Sequence, residues 1–314
     1  MAYTNTDTNM TTSSALSAGM QTYYNRELLR TFEPNLVHLQ FGDEHRMPPH
    51  SGLVMNMRKL IPLETNTKAL SEGDPGESVM LAETEVTVQL QQYGEYARCT
   101  DKLDLTHLDM DIMRRTKLFG DAGARSIDAV VREELAKCAN VIYAGGKASR
   151  AELTAADKLT SRELRKAVKT LKKNHAQTFG GYFVAIIGPD TMYDLQEDEA
   201  FVKVSQYQDK ENIYTGEVGR LFGVRLVETT EAKIFEDAGA SGADVASVIV
   251  LGQYAYGVTS LKGAKPRVIV KPAGSAGTAD PLDQISTVGW KMDGFGAKLL
   301  QPEYAVRIEC GFSA

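Results

Sequence analysis

Apolar and polar residues alternate along two segments within residues 46–103, and this period of two predicts a long β-hairpin. The outgoing arm alternates at residues 53–58 and the return arm at 85–90. Glycine and proline favour turn dihedrals, so the turn is expected at the polar segment formed by Glu72, Gly73, Asp74, Pro75 and Gly76. Two ordinary strands joined by a surface loop would give the same pattern.

The predicted arms are long for the size of the protein. An arm over residues 52–72 would reach roughly 70 Å when fully extended, whereas a compact domain of this chain length is only about 50 Å across. The hairpin also offers few apolar side chains to a core of its own. We therefore expect it to contact a partner outside its own domain.

Helical spacing of apolar residues predicts one helix before the hairpin and a longer one after it. The first covers residues 16–29 and follows an arm at 1–14 that is rich in Thr, Asn and Ser. The second extends back to about Leu108, carries its apolar face as far as Ile142 and stops at Gly145-Gly146.

Helices and short apolar strands then alternate, which predicts an α/β lobe at residues 147–265. Its first helix follows Thr160 and Glu163, whose spacing is that of a capping box. Glycine-bounded and alternating apolar segments predict the remaining elements, which are a helix at 190–195 and strands at 182–187, 224–227, 248–251, 268–270 and 304–310.

Composition indicates a soluble globular protein. The chain has 314 residues, of which 43% are hydrophobic and 24% charged, and no apolar run is long enough for a membrane span. The N-terminus does not resemble a secretory signal, and Cys99, Cys138 and Cys310 are too widely spaced for a disulfide framework, which favours a reducing cytoplasm. The net charge of −6 argues against a chain whose main task is gripping nucleic-acid phosphates.

No arrangement of residues indicates catalysis. The run at residues 144–149 lacks the glycine and the Ser or Thr of a phosphate-binding loop. His45 and His50 have no third metal ligand nearby. Asp190 and Asp194 would share a helix face, but Asp190 suits the first turn of a helix better. The sequence therefore predicts no catalytic residue, no cofactor site, no metal site and a protein that is not an enzyme.

Six basic residues recur at intervals of three and four along the helix that follows Thr160. They are Arg162, Arg165, Lys166, Lys169, Lys172 and Lys173. Such a face can contact phosphates or an acidic subunit, and it can equally be a solvated helix surface.

Several motifs carry a resemblance to a known family. The motifs are LSEG at 70–73 with LQQYG at 90–94, GRLFGVRLV at 219–227, and DPLDQ at 280–284 with VGWK at 288–291. The first pair resembles the extended loop of the branch typified by phage N four, the second a strand-turn element of an axial lobe, and the third a C-terminal signature. In this order the parts resemble the major capsid protein of tailed bacteriophages, which has the Hong Kong 97-type fold.

The resemblance implies an α+β fold in five parts. These are an N-terminal arm and helix at 1–45, an extended hairpin loop at 46–103, a long spine helix at 104–146, an α/β axial domain at 147–265, and the C-terminal part of a peripheral domain with its β-sheet at 266–314. The hairpin tip, from Glu72 to Gly76, is then expected to contact a neighbouring subunit.

The function implied is a structural protein that self-assembles through hexamers and pentamers into the icosahedral shell enclosing phage double-stranded DNA. Expected partners are further copies of the chain, scaffolding, portal and decoration proteins, and DNA held weakly and without sequence specificity, with no membrane. The expected location is the virion capsid, assembled in the host cytoplasm. An encapsulin-like nanocompartment shell protein and a cytoplasmic α/β enzyme are the alternatives.

Overall fold

The computed structural model describes residues 28, 36–48, 50–60, 67, 69, 80–81, 83–101, 112–198, 201, 220–261, 265–275 and 280–313. The α-helices bounded within them are α1 (Ile112–Leu135), α2 (Ser161–Lys173) and α3 (Pro189–Gln196). The strands are β1 (Asp43–Met47), β2 (Val54–Leu60), β3 (Glu83–Gln89), β4 (Gln91–Thr100), β5 (Val141–Tyr143), β6 (Phe183–Ile187), β7 (Arg220–Leu221), β8 (Val224–Glu228), β9 (Ile234–Phe235), β10 (Val245–Leu251), β11 (Tyr256–Leu261), β12 (Arg267–Lys271), β13 (Ile285–Leu299) and β14 (Ala305–Cys310).

The hairpin is a two-stranded sheet of β2 and β3. The strands are antiparallel, with Val54 opposite Gln89 and Leu60 opposite Glu83. The predicted hairpin over residues 46–103 differs from the structure at its base, because β4 pairs along β13 in a larger sheet instead of continuing the hairpin. The predicted turn, and nearly all of the predicted helix at 16–29, lie outside the described residues.

A five-stranded sheet is built around the long strand β13. Phe295 of β13 pairs with Ser260 of β11 and also with Gln91 of β4, so these two strands occupy opposite edges of β13. Strand β12 pairs with the first part of β13, and β1 joins β11 in parallel. The strands that flank the hairpin in sequence are β1 and β4, and they therefore lie on opposite sides of β13 in this sheet.

A seven-stranded sheet has the order β5-β14-β10-β6-β8-β7, with β9 added at the start of β10. All seven residues of β10 are buried, because both faces of the sheet are covered. Val248 and Val250 face a core shared with α2 and α3. Ile249 and Leu251 face a second core, which α1 and the five-stranded sheet complete.

Helix α1 turns one face towards the second core. Its buried apolar residues recur at helical spacing and are Ala124, Ile127, Val131 and Leu135. They lie in the same cluster as Trp290 and Phe295 of β13. The helix thus joins the two sheets.

The structure shortens the predicted long helix. It ends at Leu135, and Val141–Tyr143 forms β5, because this β-branched and aromatic run pairs in parallel with β14. Gly145 and Gly146 do not cap a helix but form the turn after β5, with φ of 64° and 74°. A Cβ at Gly145 would collide with the Asp157 carboxylate, so glycine is needed there.

The capping box predicted at Thr160 and Glu163 lacks its reciprocal hydrogen bonds from backbone N–H groups to the two side chains. The Thr160 hydroxyl instead donates to the Glu163 carboxylate, and the Ser161 N–H donates to Asp198 at 2.8 Å. Asp190 lies in the first turn of α3, as predicted. All five predicted strands are strands, although β14, at the end of the segment 266–314, pairs inside the seven-stranded sheet.

Candidate subunit-contact surfaces

The hairpin leaves the five-stranded sheet through a packed base. The side chains of Met57 and Val88 are buried and lie on Gly257 of β11 and Gly296 of β13. A Cβ at Gly257 would lie 2.8 Å from the Met57 Sδ atom, and one at Gly296 would lie 2.8 Å from the Val88 Cγ1 atom. The two glycines therefore let the hairpin approach the sheet closely.

An ion pair also ties the hairpin to the body. Lys59 Nζ lies 2.8 Å from Glu303 Oε2, in the single turn Pro302–Tyr304 that precedes β14. The hydrogen bond from Lys59 is the main cause that holds the pKa of the Glu303 carboxyl below its usual value. The paired strands of the hairpin are thus fixed to the body by both packing and charge.

Apolar side chains are exposed at both ends of the paired strands. Leu53 and Val54 are exposed at the start of β2, and Met80 and Leu81 are exposed beyond the outermost pair of Leu60 with Glu83, with Met80 89% accessible. Neighbouring apolar groups that are left in water indicate a contact surface. The predicted tip at Glu72, Gly73, Asp74, Pro75 and Gly76 lies outside the described residues, so its contact role stays a prediction.

The six predicted basic residues share one helix, α2. The apolar face of α2 is buried against the seven-stranded sheet, and the opposite face carries the basic side chains. Only Lys166 among the six forms an ion pair within the described part of the chain, at 3.6 Å from Glu163. Arg165 stacks on the exposed ring of Phe222, with 5.2 Å between the guanidinium carbon and the ring centroid.

A network of two arginines around the buried Glu309 joins β14 to its surroundings. The fully buried Glu309 accepts hydrogen bonds from Arg150 at 2.6 and 2.7 Å, and Arg307 Nε lies 2.8 Å from the same carboxylate. Arg307 also donates to the carbonyl of Ala136, just after α1. The hydrogen bond to Glu309 raises the pKa of the Arg150 guanidinium. The network holds the end of α1 against the seven-stranded sheet.

Asp194 of α3 fixes the C-terminal segment. It accepts two hydrogen bonds from Ser313, at 2.7 and 2.9 Å, and pairs with Lys158 at 2.8 Å. Burial disfavours the charged carboxylate, but the hydrogen bonds from Lys158 and Ser313 outweigh it and lower the pKa of Asp194. This explains the acid at position 194 without a catalytic role.

A buried pair attaches the chain before β1 to α1. His38 Nδ1 lies 2.5 Å from Asp128 Oδ2, and the backbone N–H of His38 donates to Asp128 Oδ1 at 2.7 Å. The Tyr256 hydroxyl donates to the carbonyl of His38. Burial raises the pKa of Tyr256, so this hydroxyl stays protonated and acts as a donor.

The remaining candidates for chemistry are held in ordinary contacts. His45 pairs with Asp43 at 3.1 Å, and burial raises the pKa of the Cys310 thiol to about 12. Among the described residues, no three His, Cys, Asp or Glu side chains are grouped closely enough to hold a metal ion. No helix in that part of the chain is both long and apolar enough to span a membrane.

An open groove of about 660 Å³ lies on the five-stranded sheet, between β4 and β12. Tyr96 and Ile269, both exposed, line it on either side of Gly289. Arg98 donates to the Tyr96 hydroxyl at 3.3 Å and lies over its ring. The sequence pattern did not single out this groove, whose lining also includes the charged residues Glu95, Lys271 and Lys291.

Sequence comparison places the chain among known proteins. A family model described as phage capsid protein matches residues 83–308. The chain belongs to the phage capsid protein family. No curated protein sequence matches this capsid protein at a significant level.

Solved structures share the fold of this capsid protein at low sequence identity. The capsid of Ralstonia phage GP4 has a TM-score of 0.67 at 14% identity, covering 87% of this chain and 88% of that one. The capsid of cyanophage P-SCSP1u has a TM-score of 0.65 at 16% identity, covering 87% of both chains. A virus-like particle from Pyrococcus furiosus has a TM-score of 0.54 at 12% identity, covering 92% and 99%.

The predictions of a phage capsid protein and of an α+β Hong Kong 97-type fold are confirmed. The branch typified by phage N four and the domain boundaries stay predictions. Sequence reasoning missed Gly257 and Gly296, whose signal is a glycine in the interior of a strand. Nothing in the sequence indicated which side chain each of these glycines faces.

Proposed function

We propose that copies of this capsid protein assemble through rings of six and five into an icosahedral shell enclosing phage double-stranded DNA. The observation that carries the proposal is the hairpin of β2 and β3, in a chain of the capsid family. It is fixed at its base by Met57 and Val88, and the apolar residues Met80 and Leu81 lie exposed beyond its paired strands.

The hairpin needs a partner for energetic reasons. A two-stranded sheet is marginal in water on its own. Burying an exposed side chain such as Leu53, Met80 or Leu81 on a neighbour contributes about 1.5–3 kcal/mol. Because every copy in a ring repeats the contact, modest pairwise affinities add as multivalent binding.

The remaining parts of the proposal rest on the net charge and on the residue patterns, which suggest no catalytic site. With a net charge of −6, the shell wall holds packaged DNA weakly, since wall and phosphates mostly repel. The role is structural and not enzymatic. Scaffolding, portal and decoration proteins are proposed partners, and assembly takes place in the host cytoplasm before the protein resides in the virion.

The test is negative-stain microscopy of the expressed chain beside a variant that lacks residues 68–80. We expect closed shells from the full chain, and folded subunits without shells from the variant. Circular dichroism with a cooperative thermal transition checks folding, and the exposed substitution Asn56→Ala is the matched control. Intact shells from the deletion variant would refute the hairpin's role. A full chain that stays as particles of one or two subunits would favour the enzyme alternative.

A nanocompartment shell is the second candidate. The likeness to the Pyrococcus furiosus virus-like particle favours it, although at 12% identity this is a likeness of fold alone. Mass spectrometry of shells purified from the native source separates the candidates. Phage DNA inside supports the capsid proposal, and a single enclosed cargo protein supports the compartment.

A further inference from the structure

We propose that the basic face of α2 binds an acidic surface of a second copy of this chain, in a head-to-tail contact. The basic face comprises Arg162, Arg165, Lys169, Lys172 and Lys173. The inference rests on the proposed function, because it names one contact by which copies would associate. It concerns a surface distant in sequence from the hairpin and can fail independently of it.

The charges of the basic face are not neutralised by the residues that the structure describes. None of its five side chains forms an ion pair with any other described residue. Neighbours at helical spacing, such as Arg162 with Arg165 and Lys169 with Lys173, carry like charges and repel each other. A helix that only covered a core could mix charges and avoid this repulsion. A partner of opposite charge removes it.

The turn between β7 and β8 extends the basic face with an aromatic group. Phe222 has a φ of 51° and precedes Gly223 at 79°, so a tight turn holds the ring at the surface. The guanidinium of Arg165 stacks on this ring. Stacking orders the arginine and leaves its N–H groups free to bind a carboxylate from another molecule.

An acidic surface of matching character lies on the same lobe. We call the exposed residues Glu236, Asp237 and Asp244, between β9 and β10, the acidic turn. They too form no ion pair with the other residues that the structure describes. The N–H of Asp237 donates to Asp244 Oδ1 at 2.8 Å, which fixes the shape of the turn. Within the described part of the chain, each copy therefore offers a basic and an acidic surface whose charges have no partner there.

Symmetry decides how these surfaces meet. A twofold axis through the basic face would set that face against itself, and like charges would repel. A head-to-tail contact joins two different patches and generates a ring where the rotation between successive copies closes. Because the chain has a net charge of −6, which disfavours binding to phosphates, a second copy is the partner we favour over nucleic acid.

The test is a charge exchange within one chain. The first variant carries Arg162→Glu, Arg165→Glu and Lys169→Glu. The second carries Glu236→Lys and Asp237→Asn, since asparagine tolerates the left-handed backbone at 237. The third combines all five changes, and Lys147→Glu with Lys265→Glu is the control at exposed positions outside both surfaces. Sedimentation at low and high salt measures the assembled fraction.

We expect the first two variants to assemble at least about tenfold less than the full natural chain at low salt, because the first gives the basic face a net negative charge and the second removes the net negative charge of the acidic turn. The combined variant should recover part of the loss seen in the first variant, because its acidic turn no longer repels the altered helix face, and the control should show no loss. A milder pair, Arg165→Ala with Lys169→Ala, replaces the first variant if circular dichroism shows that it is unfolded.

Other outcomes overturn the inference. Unchanged assembly of the first variant, or no recovery in the combined one, excludes the contact between these two surfaces. If assembly of the first variant is unchanged but its shells retain less DNA, the ligand of the basic face is phosphate instead. If the natural chain itself forms no assemblies, the proposed function fails, which is distinct from failure of this contact alone.

Discussion

Val88 of the hairpin packs onto Gly296 of β13, with its Cγ1 atom only 2.8 Å from the position that a Cβ at residue 296 would take. The carbonyl oxygen of Gln89 lies 3.0 Å from the same position. Val88 is β-branched and Gln89 contributes backbone, so neither can move aside easily. At Gly257 the nearest atom is instead the sulfur of Met57, near the end of a flexible side chain.

This difference predicts that adding one methyl group at Gly296 and at Gly257 has unequal effects on stability. Gly296→Ala should destabilise the protein by about 1–3 kcal/mol, as overpacking does, while Gly257→Ala should cost less because Met57 can rotate. Urea unfolding measures both, and hydrogen exchange of β2 and β3 reports whether the hairpin base loosens. Equal losses at the two positions would show that the hairpin base does not depend on the Val88 contact.

The buried glutamate on β14 predicts a large effect of a nearly isosteric change. Glu309→Gln leaves Arg150 and Arg307 without their shared carboxylate, and breaking a buried pair typically costs about 3–5 kcal/mol. Glu303→Gln, which removes the partly exposed partner of Lys59, is the control and should cost at most about 1 kcal/mol. Thermal and urea unfolding measure both variants, and similar losses would contradict a special role for Glu309.

Local patterns predicted the strands but not their partners, and the class of fold came from the resemblance to a known family. The alternation at residues 304–310 correctly indicates a strand, yet it carries no information that β14 pairs with β10 and β5. Segment 141–143 shows the same limit. Ile142 fits the helical spacing of α1, but pairing with β14 outweighs that local preference.

The contact surfaces were predictable to different degrees. The basic face follows from spacing, because α2 is amphipathic and its apolar residues must face the sheet. The hairpin base was not predictable, since the contact of Val88 with Gly296 joins positions 208 apart in sequence. The acidic turn was missed because Glu236 and Asp244 become neighbours only when β9 pairs with β10.

The lowered pKa of Asp194 predicts a loss of stability in acid. Its carboxylate is favoured in the folded state, so this stabilisation is present above the ordinary value of 3.8 and is lost as pH falls through the lower folded pKa. Asp194→Asn should therefore be less stable than the natural chain near neutral pH, and the difference should shrink below about pH 4. Urea unfolding at several pH values measures this, with the exposed Asp190→Asn as control. A difference that is independent of pH would contradict the assignment.

The pair of His38 and Asp128 predicts that removing each partner lowers the stability by a different amount. Asp128 accepts both the ring and the backbone N–H of His38, so Asp128→Ala leaves two buried groups unpaired. His38→Ala removes the ring but keeps the backbone hydrogen bond. Asp128→Ala should thus cost more, with each unpaired group contributing about 1–3 kcal/mol.

Unfolding of both single variants and the double variant gives the coupling energy, which we expect at about 0.5–3 kcal/mol. Hydrogen exchange at the His38 amide should accelerate in Asp128→Ala and stay slow in His38→Ala, because only the first loses the acceptor. Equal exchange in the two variants, or additive losses of stability, would mean that Asp128 does not attach this segment to α1.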